Sequence, residues 1–488
     1  MIESKQGSSF SGCAPIAILG VPFDNVTTEE ALDLISEMIR SGRPHYAATA
    51  NVDFVVQAGE DVELRRILFD AHLVLADGQP IVWASAFLGN PLRERVTGSG
   101  LIPLLLALAE QKGWKVFFLG GTTESVAAAA GKTRAKHPRL QLVGAYSPPF
   151  KPLLEMDHAD ILRRIHEAKP DILLVAFGCP KQEKWINMHL AAAAVPFSVG
   201  VGATIDFLAG TFKRAPRWMQ KTGAEWVFRL LQEPGRLAGR YGKDLRVFGF
   251  AILRQWWQMR RRKDKHHSAD AASVSVDASG VSVIQAPARL DAAAVAGQGN
   301  AWRDSVIRGH VVFNLAATEF ADSTGIGALI RLRKLSRDNG RAFVLASPPA
   351  ALESSFRLMR LEGFFSVEPG LDAARARVQT EIFGADVSKA PQVEVCVIRW
   401  KGEATAANID DLRAKTETEI GVLPPGARAV IDLSSLAFSD SAGIGLMVRL
   451  KRWGQRRDVT LAFRNPNETV RNVLRMTRLE NFLLEGPV

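Results

Sequence analysis

Only three cysteines, Cys13, Cys179 and Cys396, occur in 488 residues, and none forms a CxxC pair. That scatter excludes a disulfide framework or a zinc cluster and fits a reducing compartment. No run approaches the ~20 apolar residues needed to cross a bilayer. The start of the chain lacks a basic segment followed by a long apolar one, so the expectation is a cytoplasmic protein without a signal peptide. Any membrane contact should then be peripheral. No GxGxxG follows a strand-like run, which argues against a nucleotide-dependent oxidoreductase. What is present is a globular composition, 47% apolar and 23% charged. The chain is too long for one core, and its length suggests roughly three domains. A formal net charge of +10 should draw it to something anionic: nucleic acid, a phosphorylated substrate or a membrane surface.

The first half alternates short apolar runs with amphipathic helices. Strand-like runs cover His45–Ala50, Leu73–Ala76, Lys115–Leu119, Asp171–Phe177 and Phe197–Val201. Helical patterns lie between them at Glu29–Arg40, Asp61–Asp70, Ile102–Lys112, Glu124–Lys136 and Asp160–Ala168. Buried strands alternating with helices predict a parallel sheet covered on both faces. Ligands of such sheets bind beyond the carboxyl ends of the strands. Polar groups follow the strands at Thr49 and Asn51, Asp77-Gly78, Gly120-Gly121-Thr122, Gly178-Cys-Pro-Lys-Gln-Glu183 and Gly202-Ala-Thr-Ile-Asp206. The Gly120-Gly121 pair before a helix offers backbone amides to a phosphate, or simply makes a tight turn. Each group alone is ordinary, whereas their order at five successive strand ends is not.

That ordered set, from Ala48-Thr-Ala-Asn51 through Gly178-Cys-Pro-Lys-Gln-Glu183 to Arg214-Ala-Pro-Arg-Trp218 and Glu233-Pro-Gly-Arg236, resembles the WecG/TagA/CpsF glycosyltransferases. The similarity runs from about Ile18 to Tyr241. It implies transfer of a sugar from a UDP-sugar donor to a polyprenyl-diphosphate-linked saccharide at the cytoplasmic membrane face, with inversion and without a metal or other cofactor. It also implies that Asp77 is the general base for the acceptor hydroxyl. Thr49, Asn51 and Gln182 match family positions around the donor sugar, and Arg95 matches the arginine of an Arg-Val-Xaa-Gly segment. Tyr146 and Asp206 match positions at the nucleotide end. After Arg95-Val-Thr-Gly-Ser99 the family often has an aspartate where this chain has Gly100. An inverting displacement needs one carboxylate to take the acceptor's proton and positive groups for the departing diphosphate. Asp77 supplies the first, and arginines with backbone amides must supply the second.

From Phe212 onward Arg, Trp and Leu alternate, and this stretch resembles the family's appendage over the active site. Arg229, Arg236 and Arg240 are spaced i, i+7, i+11, but Pro234-Gly235 interrupts any continuous helix. They are candidates for diphosphate contact or a solvated basic face. Val247–Lys265 mixes aromatics such as Trp256 and Trp257 with Arg260, Arg261 and Arg262. Such a segment suits an anionic lipid interface or nucleic acid. A lipid-linked substrate favours the membrane, and no nucleic-acid partner is expected. Lys265–Gly280 reads as a polar linker.

Beyond the linker the sequence repeats itself. Val312–Asn339 aligns without a gap on Val430–Arg457 at an offset of 118 positions (441 − 323). Phe320-Ala-Asp-Ser-Thr-Gly-Ile-Gly327 matches Phe438-Ser-Asp-Ser-Ala-Gly-Ile-Gly445, and Arg360-Leu-Glu362 matches Arg478-Leu-Glu480. An ungapped match of this length marks a duplicated domain. Each copy has a buried strand, Val311–Leu315 or Ala429–Leu433, then Asp-Ser-Xaa-Gly opening a basic amphipathic helix. A serine there is ordinarily a helix cap. The repeated pattern resembles STAS domains, the anti-sigma-factor-antagonist fold. The resemblance marks Ser323 and Ser441 as phosphorylation candidates, read by a serine kinase or phosphatase or an anti-sigma-like partner. The second copy lacks the Leu290-Asp291 pair of the first, so its opening segment is expected to differ.

The expected fold is α/β throughout: a Rossmann-like parallel-sheet transferase with a C-terminal helical appendage at 1–245, a basic aromatic segment and linker at 246–280, and small α/β STAS domains at 281–380 and 391–488. The expected function is a membrane-peripheral glycosyltransferase of envelope or exopolysaccharide synthesis, with the STAS pair for regulation. A signalling protein with a degenerate transferase domain is the alternative.

Overall fold

The structure, a computed structural model, describes residues 15–211, 225–232, 234–260, 273–276, 280–359, 361, 364–383, 395–423, 427–457, 459–477 and 479–484, with the isolated positions 216 and 219. A hairpin of β1 (Ile16–Ile18) and β2 (Val21–Phe23) leads into α1 (Thr28–Arg40), which opens on a reciprocal capping box between Thr27 and Glu30. There follow β3 (His45–Ala50), α2 (Val52–Glu60), α3 (Val62–Asp70), β4 (Leu73–Ala76), α4 (Gln79–Phe87) and α5 (Gly98–Lys112). Next come β5 (Lys115–Gly120), α6 (Thr123–Lys136), β6 (Gln141–Tyr146), α7 (His158–Ala168), β7 (Ile172–Ala176), α8 (Lys181–Ala193), β8 (Phe197–Gly200) and α9 (Thr204–Ala209).

The six strands β3 to β8 form one parallel sheet in the order β4-β3-β8-β7-β5-β6. Side chains alternate between its two faces. Val74, Leu119, Leu173 and Val175 enter one core, and Leu73, Leu75, Phe118 and Leu174 the other. Burial on both sides is why these strands read as unbroken apolar runs. All five expected strands and all five expected helices are present.

Two further helices close this domain, α10 (Glu225–Gln232) and α11 (Pro234–Arg260). The second opens on Pro234, a residue whose fixed φ suits a first helical turn. The boundary expected at 245/246 falls inside α11, which is held on the sheet domain from Phe248 to Trp256. Phe248 and Ile252 join the core, and the Gln255 side chain accepts from Leu19 N at 3.0 Å and donates to Ala17 O at 3.2 Å. Trp256 stacks on Phe87 of α4 at 5.2 Å. Among the described residues no helix is long and apolar enough to cross a membrane.

The first repeat comprises β9 (Val274–Val276), β10 (Ser282–Gln285), β11 (Arg289–Leu290), α12 (Ala292–Arg308), β12 (Val311–Asn314), β13 (Phe320–Ala321), α13 (Ser323–Asp338), β14 (Phe343–Ala346), α14 (Ala350–Leu358), β15 (Ser366–Glu368) and α15 (Leu371–Phe383). Its main sheet runs β15-β14-β12-β10-β9, parallel except for β9. Strand β9 lies in the stretch expected to be linker, so part of that stretch is an edge of the domain. The second repeat comprises β16 (Val395–Ala404), α16 (Ile409–Gly421), β17 (Arg428–Ser439), α17 (Ser441–Arg456), β18 (Thr460–Arg464), α18 (Glu468–Met476) and α19 (Glu480–Leu483), with a parallel sheet ordered β16-β17-β18.

The opening segments of the two copies differ, as expected. Leu290 O accepts from Asp322 N in the first copy, and Ala404 O accepts from Asp440 N in the second, each at 3.1 Å. Thirty-six positions separate the second pair and thirty-two the first. The close approach itself is conserved between the copies. A Cβ on Gly325 would lie 2.0 Å from Leu290 O, and one on Gly443 2.3 Å from Ala404 O. The glycine of Asp-Ser-Xaa-Gly is therefore a packing requirement.

Candidate active site

The carboxyl ends of β4, β3 and β8 bring three polar side chains around one glycine. Asp77 directly follows β4, and its Oδ2 accepts from Gly98 N at 3.1 Å. A Cβ on Gly98 would meet Thr204 Oγ1 and Thr49 Oγ1 at 3.4 Å each and Asp77 Oδ2 at 3.6 Å. Thr49 is next to last in β3 and donates to Gly200 O at 3.4 Å, while Thr204 opens α9 after β8. Three strand ends and the first turn of α5 thus converge on a carboxylate oriented by a backbone amide. Such a bond to an ionised oxygen is stronger than a neutral one and fixes the carboxylate's direction.

Asn51 caps α2, with its Oδ1 accepting from Phe54 N at 3.2 Å, and its Cβ stands 3.7 Å from where a Cβ on Gly78 would lie. Gln182 braces two loops: its Oε1 accepts from Gly178 N at 3.2 Å and from Gly202 N at 3.1 Å, and its Nε2 donates to Glu183 Oε1 at 2.7 Å. The side chain is buried, so its visible work is to hold the β7–α8 and β8–α9 turns together. Glu183 is buried behind it, its Oε2 is without a hydrogen-bond partner, and burial pushes its pKa up to about 7. Gly200 must lack a side chain, because a Cβ would stand 2.5 Å from both Gln182 Nε2 and Glu183 Oε1.

The other expected residues fall toward the β5–β6 end of the sheet. Gly120 (φ +99°) and Gly121 (φ +79°) make the turn from β5 into α6. The Gly121 amide donates to Ala176 O of β7 at 2.9 Å and the Thr122 amide to Ser125 Oγ at 3.1 Å, so the first is occupied by the neighbouring strand and the second by the first turn of α6. Helix α9 joins this turn to the carboxylate end: Ile205 Cγ2 lies 3.3 Å from a Cβ on Gly121, one residue after Thr204. Asp206 lies in the same first turn of α9. Tyr146 closes β6, its hydroxyl donating to Asp160 Oδ2 at 2.9 Å beneath the Arg164 guanidinium. Hydrogen bonds from Arg164, Arg163 and Tyr146 hold the Asp160 carboxyl down at about 2.

Arg95 precedes α5 and reaches Glu225 of α10, Nη1 to Oε2 at 3.4 Å, tying the appendage to the site's own loop. The backbone places Arg229 on α10 and Arg236 and Arg240 on α11. Their side chains lie outside the described residues, as do Arg214, Arg217, Trp218, Arg261 and Arg262. Gly98, the glycine of the Arg-Val-Xaa-Gly segment, and Thr204 carried no role of their own in the sequence. Thr204 stood within the Gly202–Asp206 group as a possible signal, but nothing local aims it at Asp77.

Ser323 and Ser441 open α13 and α17 as expected, yet neither faces solvent. Ser323 is 0% exposed and Ser441 4%. Asn90, after α4, donates from Nδ2 to Ser323 Oγ and to Asp322 Oδ2, both at 3.0 Å. Ser441 donates from N and Oγ to the Glu63 carboxylate of α3 at 2.5 and 2.7 Å.

Comparison with known proteins agrees with this division. Residues 16–262 match the WecG/TagA/CpsF glycosyl transferase family, residues 272–374 the STAS domain and residues 387–485 the Mlab, STAS domain. An N-acetylglucosaminyldiphosphoundecaprenol N-acetyl-beta-D-mannosaminyltransferase of Staphylococcus aureus strain MW2 is 31% identical over 255 residues, 52% of this chain and 98% of that protein. The same-named protein of strain MRSA252 is 30% identical over 255 residues, with the same coverage.

Proposed function

The chain belongs to the WecG/TagA/CpsF glycosyltransferase family and carries two STAS domains, and from that premise we propose that it moves a sugar from a UDP-sugar donor to a polyprenyl-diphosphate-linked saccharide with inversion. The observation that carries this reading is Asp77, held by the Gly98 amide between Thr49 and Thr204 at the strand ends. A carboxylate oriented this way can take the proton of an acceptor hydroxyl as it attacks the anomeric carbon. The C1–oxygen bond to the diphosphate breaks as the new glycosidic bond forms, and UDP leaves with the negative charge. Arg95, Arg229, Arg236 and Arg240 are the proposed diphosphate contacts, because a departing dianion needs preorganised positive groups. Gln182 keeps the two donor-side turns in register, with Asn51, Gly120, Gly121, Tyr146 and Asp206 around the donor.

The staphylococcal relatives' names make UDP-N-acetylmannosamine and N-acetylglucosaminyl-diphospho-undecaprenol the first pair to test. Asp77→Asn should keep the fold and lower UDP release by roughly 100-fold or more. Near-normal release in that variant overturns the role of Asp77. No release from the unaltered chain with any UDP-sugar favours the signalling alternative.

Peripheral attachment to the inner membrane face is part of the proposal. One side of α11 packs on the domain, while the other exposes Leu245, Phe250, Leu253 and Trp257, with Arg246 and Arg254 beside them. The Phe87–Trp256 stack brings the exposed Trp83 and Phe87 of α4 alongside. Apolar side chains flanked by arginines suit an anionic lipid interface.

A further inference from the structure

The STAS domains could have been free modules on a tether, yet both turn their serine faces inward. In each copy the aspartate before the serine caps its helix and is read by an asparagine of the transferase domain. Asn90 donates to Asp322 Oδ2 at 3.0 Å, and Asn187 of α8 donates to Asp440 Oδ2 at 3.2 Å. The two asparagines come from unrelated elements, so one recognition of the duplicated motif arises twice on different surfaces.

Helix α3 lies between the two copies. Near its start, Glu63 accepts both hydrogen bonds of Ser441 and is paired with Lys184 of α8 at 2.9 Å. In its middle, the Arg66 guanidinium lies over Phe364 of the first STAS domain at 5.0 Å and over Phe438 of the second at 5.1 Å, and pairs with Glu403. At its end, Phe69 packs edge-on against Phe364 at 4.4 Å, and Asp70 pairs with Arg337 of α13 at 2.5 Å.

We propose that the transferase domain is itself the partner of both STAS serine faces, with α3 as the shared docking ridge, and that negative charge on the serines releases them. The occupant is this chain's own helix, engaged in cis. Solvent is excluded where Ser441 meets Glu63, so a carboxylate or phosphoryl group there faces a like charge with no water to screen it. The hydroxyl of Ser323 is fully covered by the Asn90 turn. A modifying enzyme therefore meets these serines only in the open form, and any other STAS partner must compete with α3. The docking does not depend on the transfer reaction.

The test uses the full chain, with small-angle scattering for shape, light scattering for mass and hydrogen exchange for local protection. The unaltered chain and Ser323→Ala/Ser441→Ala should be small, monomeric and slow to exchange along α3. Ser323→Asp/Ser441→Asp should expand, and exchange along α3 should quicken by roughly tenfold or more, while β5, β7, β12 and β17 keep their protection. An unaltered chain that is already extended, or a double-Asp chain that stays small with α3 protected, overturns the proposal. So does a dimer whose docking is lost on dilution, since the partner would then be a second copy. If the double-Asp chain loses protection in β12 and β17 as well, Glu63→Ala/Asp70→Ala decides, because it leaves both STAS domains unaltered. That variant must expand with every sheet protected, and a small α3-protected form overturns the proposal.

Discussion

At Gly120 one added methyl group would meet the Ala176 carbonyl oxygen at 2.7 Å while φ stands at +99°. Gly120→Ala therefore adds crowding, about 1–3 kcal/mol, to the positive-φ penalty of about 1–2 kcal/mol. Gly178 has φ +79° and nothing within 4 Å of its missing Cβ, so Gly178→Ala should carry the second penalty alone. Denaturation midpoints of the two variants should fall in that order, and equal losses would mean that the β5 turn relaxes freely. Gln182 makes a different demand. Gln182→Ala leaves the Gly178 and Gly202 amides without their acceptor and should lower stability by about 1–3 kcal/mol. UDP release should fall with it, since both turns border the donor side.

Helix α11 shows how one element serves two surroundings. Its inward positions, Phe248, Ile252 and Gln255, are buried, and Trp256 is covered by its stack on Phe87. Its outward positions, Phe250 and Trp257, are 73% and 50% exposed. The adjacent tryptophans, expected from sequence to share one membrane role, therefore part company. Replacing Phe250, Leu253 and Trp257 with Ser should abolish sedimentation with anionic liposomes and leave the melting temperature nearly unchanged. Trp256→Ser should instead lower stability, by about 1–3 kcal/mol for a partly covered aromatic, with less effect on liposome binding. Unchanged sedimentation of the triple variant would remove the lipid role from this face.

For the whole molecule, acidity should tighten the assembly. Burial and the Glu63 carboxylate push Asp440 up to about 7, against the pull of the Gly443, Ala406 and Ala442 amides. Asn187, Asp61 and Lys184 of the transferase domain also border this cluster. A carboxyl whose folded pKa is raised contributes stability that is full below its ordinary value and is lost as pH rises through the raised one. The window for Asp440 is 3.8 to about 7, and that for Glu183 is 4.5 to about 7. Asp440 and Glu183 should therefore each favour the chain at a pH of about 5.5 over about 8, against the opposite contribution of the buried His72 and His189, whose pKa values burial lowers. Asp440→Asn should flatten the part due to docking, and Glu183→Gln the part due to the transferase core. An Asp440→Asn chain with the full unaltered pH slope would show that this carboxyl does not titrate in the window. At the acid end, Asp160 works the other way, because its pKa is depressed to about 2 and its contribution is lost only as pH falls toward that value.

Periodicity over a few residues determined the alternation of strands and helices and the polar positions at strand ends, and an ungapped match at an offset of 118 positions the duplicated Asp-Ser-Xaa-Gly motif. These depend on how near neighbours share a face or cap a turn, so they can be read along the chain. Asp77 was singled out by the family resemblance, because an Asp-Gly after a strand is by itself ordinarily a turn. The contacts of Thr204 and Gly98 around Asp77 were not legible, since they form only when β8 and α5 reach β4. The pairing of Arg95 with Glu225, the parting of Trp256 from Trp257 and the covering of both serines were likewise decided by tertiary structure. Asn187 meets Asp440 across 253 positions, and Ser441 meets Glu63 across 378. Contacts at such separations leave no period in the sequence, because what selects them is the shape and charge of surfaces that exist only once each domain has folded.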